Sequence, residues 1–216
     1  MDIRNNKERL PLEHYAALFR EVEPAEVERR TGARFDGGAF ALNLMGQGLR
    51  AEYPEFRLTA ADGDCPEPLL GVAAQILVSR YLTGGKRAPW NGRFLSYREL
   101  PWGEVYDRNF QGRCVSRLAR TYGKNADTLA AFRAACLKLC GTPAKSVGGA
   151  AVTFGDAAYD LPFTDGMTVR FIVWTGDDEF PPSAQILFSD NTHAAFDAED
   201  LAAVGEVMLA ALKSVG

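Results

Sequence analysis

Histidine is scarce in this 216-residue chain, which has two, His14 and His193. They lie near opposite ends of the sequence and no G-x-S-x-G occurs, so no nucleophile–histidine–acid grouping is visible. Cysteine is sparse as well: Cys65, Cys114, Cys136 and Cys140. Neither the CxxC-like pairing of a zinc site nor the spacing of a disulfide-stapled domain is present, and no metal site is assigned. No stretch approaches the roughly 20 apolar residues needed to span a bilayer. The opening MDIRNNKERLPLEHY carries acids and lacks the apolar segment of a secretory signal. The expectation is a soluble, cytoplasmic protein with no membrane partner.

Phosphate-loop signals are missing too. Thr83-Gly84-Gly85-Lys86 resembles a fragment of one, but a working loop needs G-x-x-x-x-G-K-[ST] between a strand and a helix. Here the glycines follow a helical pattern, which is how a helix C-terminus reads. Gly46-x-Gly48 and Gly148-Gly149 are isolated. The net charge of -4, with aromatic residues that do not interleave with basic ones, argues against a nucleic-acid partner.

What is present is an ordinary globular balance, 47% hydrophobic and 24% charged, enough to build a core without staples. Between Leu12 and Arg30, Tyr15, Leu18, Phe19, Val22 and Val27 recur at helical spacing, and Pro24 divides them into two short helices. Phe40, Leu42 and Leu44, then Leu49, Ala51 and Tyr53, alternate on either side of Gly46, as in a β-hairpin. A third strand is expected around Phe56 to Thr59, and an apolar helix, LLGVAAQILVSRYL, follows Pro66-Glu67-Pro68. A short strand is expected near Phe94 to Tyr97. Two helices, about Glu104 to Tyr122 and Ala126 to Leu139, precede a Gly-rich loop from Lys145 to Phe154. Strands at Ala157 to Leu161, Met167 to Thr175 and AQILFS are followed by a helix from Ala198 to Leu212, capped by Asp197, with Leu201, Val204, Met208 and Leu212 inward. Elements that come in runs without regular alternation predict an α+β fold with antiparallel sheets. The chain reads as a single domain over 1–216, with sub-lobes 1–65 and 66–216 as the alternative.

Charge is unevenly placed. Arg80 to Lys124 holds ten basic residues against Glu99, Glu104 and Asp107, whereas Ala150 onward holds eleven acidic residues against Arg170 and Lys213. Arg113, Arg117, Arg120 and Lys124 fall at intervals that share one helix face, beside an apolar stripe of Phe110, Cys114 and Leu118. Such a face is either solvated, or turned to the acidic part of the same chain, or a binding surface for a small anionic ligand or an acidic protein. Arg98, Arg113, Arg117 and Arg120, with the loop aromatics Trp90 and Trp102, are the candidate ligand-binding residues.

Asp177-Asp178-Glu179 follows an apolar strand and precedes Phe180-Pro181-Pro182, so it projects from a rigid element. These carboxylates are the candidate catalytic residues, as acid, base or ligands of a hard cation. The bland alternative is a polar turn whose Asp side chains bond backbone N–H groups. Asp190 and His193 are not added to the cluster, because a hairpin places them at the opposite strand end, about 20 Å away. Cys136 and Cys140, four apart, are expected on one face of a helix, as half a metal site or as part of a buried stripe with Leu129 and Phe132. His14 reads as a surface residue.

The ordered set YLTGG, FLSYRELPWGEVYDRNFQGR, WTGDDEFPPSAQILFSDN and AEDLAAVGEVML resembles a bacterial and archaeal family, domain of unknown function 3786, over about Glu13 to Leu212. The resemblance implies an association with anaerobic, corrinoid or redox metabolism, and relatives with a ferredoxin-type segment ahead of this domain. The chain departs from that version, with no Cys before Cys65. The motif positions it marks are Tyr81, Arg98, Glu99, Pro101 and Gly103, then Trp174, Asp177, Glu179, Phe180 and Pro181. Arg98–Pro101 reads as a helix-entry turn with a local ion pair, and Trp174 and Phe180 as core residues. The combined expectation is a ligand-binding or accessory protein for an anionic small molecule or acidic partner in anaerobic metabolism. An acid–base or metal-assisted enzyme at Asp177–Glu179, or a structural interaction module, is the alternative. Cofactor, substrate and oligomeric state stay open.

Overall fold

Two antiparallel sheets and the helices packed with them organise the chain in a computed structural model that describes residues 9–144 and 154–216. The fold is α+β. The Gly-rich stretch expected as a loop falls on residues 145–153, outside the described residues.

Helices α1 (Arg9–Arg20) and α2 (Pro24–Thr31) are separated at Pro24, which starts α2 because its missing N–H costs nothing there. The first sheet is a meander of β1 (Arg34–Phe35), β2 (Ala39–Leu44), β3 (Gln47–Glu52) and β4 (Leu58–Ala60). Its third expected strand starts two residues later, at Leu58, and ends one later, at Ala60, since Phe56 takes a positive φ of 53°, outside the extended region. Met45 (φ 50°) and Gly46 (φ 75°) form the β2–β3 turn, both in the left-handed region that matches strand twist in a two-residue hairpin. That turn is buried at Met45, whose N–H donates to Phe163 O in the second sheet at 3.0 Å.

Helix α3 (Val72–Gly84) buries Ala74, Leu77, Val78, Ser79, Tyr81 and Leu82, as its nearly uninterrupted apolar sequence requires. Beyond β5 (Phe94–Ser96) a single helical rod runs through α4 (Gly103–Phe110), a π turn (Gln111–Val115) and α5 (Ser116–Tyr122). Phe110, Cys114 and Leu118 all point into the core. Helix α6 (Ala126–Lys138) follows, with Leu129, Phe132, Ala135 and Cys136 buried.

The expectation that Cys136 and Cys140 share a helix face is corrected. α6 ends at Lys138, Cys140 takes φ 57°, and Gly141 N–H reaches back to Cys136 O at 2.8 Å, a left-handed helix stop. Cys136 is buried and Cys140 exposed.

The second sheet has the order β5-β9-β8-β7-β6, with β6 (Thr142–Pro143), β7 (Ala157–Thr164), β8 (Met167–Trp174) and β9 (Ser183–Ser189). Val169, Phe171 and Val173 of β8 are wholly buried at the sheet centre. Helix α7 (Ala198–Val215) starts where the Asp197 carboxylate accepts from Asp200 N–H at 2.9 Å, and Leu201, Val204, Met208 and Leu212 face inward. One continuous buried cluster runs from Phe19 through both sheets to Leu212.

Candidate functional site

Two grooves, of about 560 and 530 Å³, meet at Gly32 and Arg87 where the sheets approach each other. Arg29, Arg30 and Trp90 line the first; Arg34, Asn43 and Asp165 line the second. Arg87 belongs to both, and its stem lies across Gly166 of the β7–β8 turn. A Cβ at Gly166 would stand 2.7 Å from Arg87 Nε, and one at Gly32 would be 3.6 Å from a terminal guanidinium nitrogen. Both glycines have positive φ, 91° and 76°.

The walls are held by buried hydrogen bonds. Asn191 Nδ2 donates to Ala88 O at 2.7 Å and to Gly166 O at 2.8 Å, while its Oδ1 accepts from Ser189 Oγ at 2.7 Å. Ser189 Oγ in turn accepts from Thr168 N–H. Arg87 N–H donates to Arg30 O at 2.7 Å. The Arg30 guanidinium donates to Gly85 O, to Leu82 O at 3.0 Å and to Thr83 O at 3.3 Å, supplying a cation and donors to the carbonyl end of α3. Trp90 Nε1–H donates to Arg93 O at 2.9 Å, leaving its ring 43% exposed on the groove wall.

Positive charge dominates here. Arg29 and Arg30 share Glu26. Asp165 accepts from Asn43 Nδ2 at 3.1 Å. Among the described residues, neither Arg87 nor Arg34 makes an ion pair. Beneath the groove Tyr81 donates its hydroxyl to Thr31 O at 3.1 Å, and burial pushes that phenol upward against the opposing pull of Arg87.

A second cleft, of about 310 Å³, is lined by Tyr15, Arg80, His193, Asp197 and Asp200 among others. Arg80 pairs with Asp197 at 2.7 Å and Asp200 at 3.0 Å and lies over the Tyr15 ring. Burial of Asp200 outweighs Arg80, with Asp197 adding to the effect, and its carboxyl is pushed up to about 7. Among the described residues no group of three or more His, Cys, Asp or Glu is placed to hold a metal ion, and no helix is long and apolar enough to cross a membrane.

The sequence profile of the domain of unknown function DUF3786 matches residues 23–211. The chain belongs to the DUF3786 family. No curated protein and no solved structure matches it.

The motif residues that carry the DUF3786 resemblance occupy separate regions. Of the candidate ligand-binding residues, Trp90 lines the Arg87 groove. Arg98 and Trp102 are exposed at the entry to α4, and Arg117 and Arg120 on the outside of α5. Arg113 pairs with Glu206 of α7, the intramolecular arrangement among those weighed for this face. The entry turn has no Arg98–Glu99 ion pair. Glu99 instead accepts from Ser96 N–H and Oγ–H, each at 2.7 Å, and these bonds hold its carboxyl below the usual range.

Asp177 Oδ1 accepts from Glu179 N–H at 2.9 Å and Phe180 N–H at 2.7 Å, a turn-forming role, and Asp178 and Glu179 are exposed. Neither the Arg87 grooves nor the Arg80 cleft includes any of these three carboxylates. Phe180, expected in the core, is 68% exposed because the turn carries it past the sheet edge; Trp174 is half-buried. Arg29, Arg30, Arg34, Arg87 and Asn191 were not singled out in the sequence. The one available signal was that Arg87 contributes to the basic excess and stands three residues before Trp90.

Proposed function

We propose that this DUF3786 protein is a binding protein for an anionic organic ligand, held at Arg87 between the two grooves. The observation that carries the reading is Arg87 itself, fixed across Gly166 and beside Gly32, yet without a carboxylate partner among the described residues. A guanidinium prepared in this way offers its donor fork to a carboxylate or phosphate with little ordering left to lose. Arg29, Arg30 and Arg34 add charge, and the exposed Trp90 face offers an apolar wall for the organic part.

Calorimetry with inorganic pyrophosphate, citrate and benzenetricarboxylate at low salt tests the reading. Binding weakens as salt rises, Arg87→Gln lowers affinity tenfold or more, about 1.4 kcal/mol, and Trp90→Ala affects the aromatic anion most. The absence of binding to all three, or unchanged affinity in Arg87→Gln, removes it.

A second reading, acid–base catalysis, has firmer footing at Asp200 than at the Asp177–Glu179 turn. It is favoured by a buried carboxyl that titrates near neutrality in a cleft shared with Arg80 and His193. Carbon-detected NMR titration of Asp200 checks it; a midpoint near 4 eliminates the acid–base role.

A further inference from the structure

Arg87 stands where the two grooves meet, flanked by Gly32 and Gly166, and neither neighbour puts a side chain over the guanidinium. Each groove runs on past it, so a molecule whose anion sits at Arg87 can extend to both sides. A ligand that ended in its anion would fill one groove and leave the other empty. Each groove alone falls within the roughly 300–1,000 Å³ of a small-molecule site, so the pair suits a ligand of two parts.

The two arms differ in chemistry. Arg29, Arg30 and Trp90 line the first, and Glu26, which the two arginines share, lies outside that lining. The Trp90 ring is held by its N–H bond to Arg93 O and by an edge contact with Phe94 at 5.2 Å, which fixes an exposed aromatic surface for a planar ring. No aromatic side chain lines the second groove. Small residues of the first sheet, Ala41, Gly48 and Ala61, line it together with Arg34. Among the described residues Asp165 is the only acid that lines either groove. Its carboxylate accepts from Asn43 Nδ2 at 3.1 and 3.2 Å and has no cationic partner among the described residues. Asn43 Oδ1 accepts no hydrogen bond among them either. A sugar, whose hydroxyls can donate to Asp165 and Asn43 Oδ1 and accept from Arg34, matches this mixed lining better than a second anion does.

We propose that the ligand is a nucleoside diphosphate sugar, with its base in the Trp90 groove, its diphosphate across Arg87 and its sugar beside Asp165. The proposal rests on the reading that Arg87 binds an anion, and it adds what lies on either side of that anion. A diphosphate diester carries its charge in mid-molecule with an organic group at each end, and the two glycines let it approach the backbone next to the guanidinium.

Calorimetry of the full chain with pyrophosphate, ADP and ADP-glucose tests it. Affinity should rise from pyrophosphate to ADP and again to ADP-glucose, by about threefold or more at each step, although the sugar diester carries less charge than ADP. Asp165→Asn can still accept from Asn43, so the link between the sheets is kept. It should lower the affinity for ADP-glucose about fivefold and raise that for pyrophosphate about twofold, because a negative charge near the anion is gone. Opposite signs separate a contact with the sugar from a general loss of structure. ADP-glucose bound no tighter than ADP, or both affinities moving the same way in Asp165→Asn, overturns the proposal and leaves anion binding at Arg87 standing. Failure of all three compounds to bind overturns both.

Discussion

Arg87 lies across Gly166, so closely that a Cβ at position 166 would stand 2.7 Å from Nε and 3.2 Å from Cγ of the arginine. Gly166→Ala therefore has two costs: an L side chain at φ 91° and displacement of Arg87. Denaturant unfolding should show a loss of about 1–3 kcal/mol. Gly112→Ala is the contrast. Nothing lies within 4 Å of a Cβ there and φ is not positive, so stability should rise by about 0.5 kcal/mol. Equal effects at the two sites would contradict the steric account.

Asn191 joins three strands of chain at the groove wall with a single buried amide. Asn191→Ala leaves Ala88 O and Gly166 O without their donor and should cost about 2–4 kcal/mol in chemical denaturation. It should also weaken anion binding, because the Ala88 and Gly166 segments flank Arg87. A variant of unchanged stability would mean that other donors replace the amide.

Asp200 gives a pH dependence of defined sign. Its folded-state value of about 7 lies above the ordinary 3.8, so the folded protein holds the proton more tightly than the unfolded chain. Its contribution to stability is greatest below pH 4, falls as pH rises from 4 to 7, and is level above that. Asp200→Asn should therefore stabilise the protein at pH 8 and change little at pH 4. The expected gain is roughly 1–3 kcal/mol, less than the full shift because Arg80 and Asp197 beside it stay in contact with water. A gain larger at pH 4 than at pH 8 would reverse the assignment.

The thiols should divide into two groups. Burial pushes Cys114 up to about 12 and Cys136 further upward, whereas Cys140 is exposed. Brief alkylation of the native protein, read by peptide mass spectrometry, should label Cys140 first. Cys65, half-buried and also shifted upward, should follow. Cys114 and Cys136 should react only after unfolding; their modification in the native state would contradict the packing of the π turn and α6.

Much of the fold was legible because its signals are local. Pro24, the alternation around Gly46 and the Asp197 cap each act within a few residues, and the elements they predict are those observed. The groove was not legible, since it depends on contacts between residues far apart in the chain. Arg30 reaches the end of α3 over 55 residues, and Asn191 reaches Ala88 over 103. The error at Cys140 is of another kind. Helical spacing persists in the letters beyond Lys138, but Gly141, lacking a Cβ that would meet Cys136 O, donates its N–H back to that oxygen and ends the helix first.

The π turn at Gln111–Val115 has a consequence for how this molecule can vary. Ser116 N–H bonds to Gln111 O, five residues back, so the rod contains one residue more than an unbroken α-helix of its span. Phe110 sets the rotational phase upstream, and Leu118 and Tyr122 set it downstream. Deleting one residue between them would turn everything beyond by about 100°, bringing Leu118 out of the core or Trp102 to a new bearing. The two ends of the rod are thus clocked separately, and their relative orientation changes in whole-residue steps, by insertion or deletion, with point substitution unable to reset it.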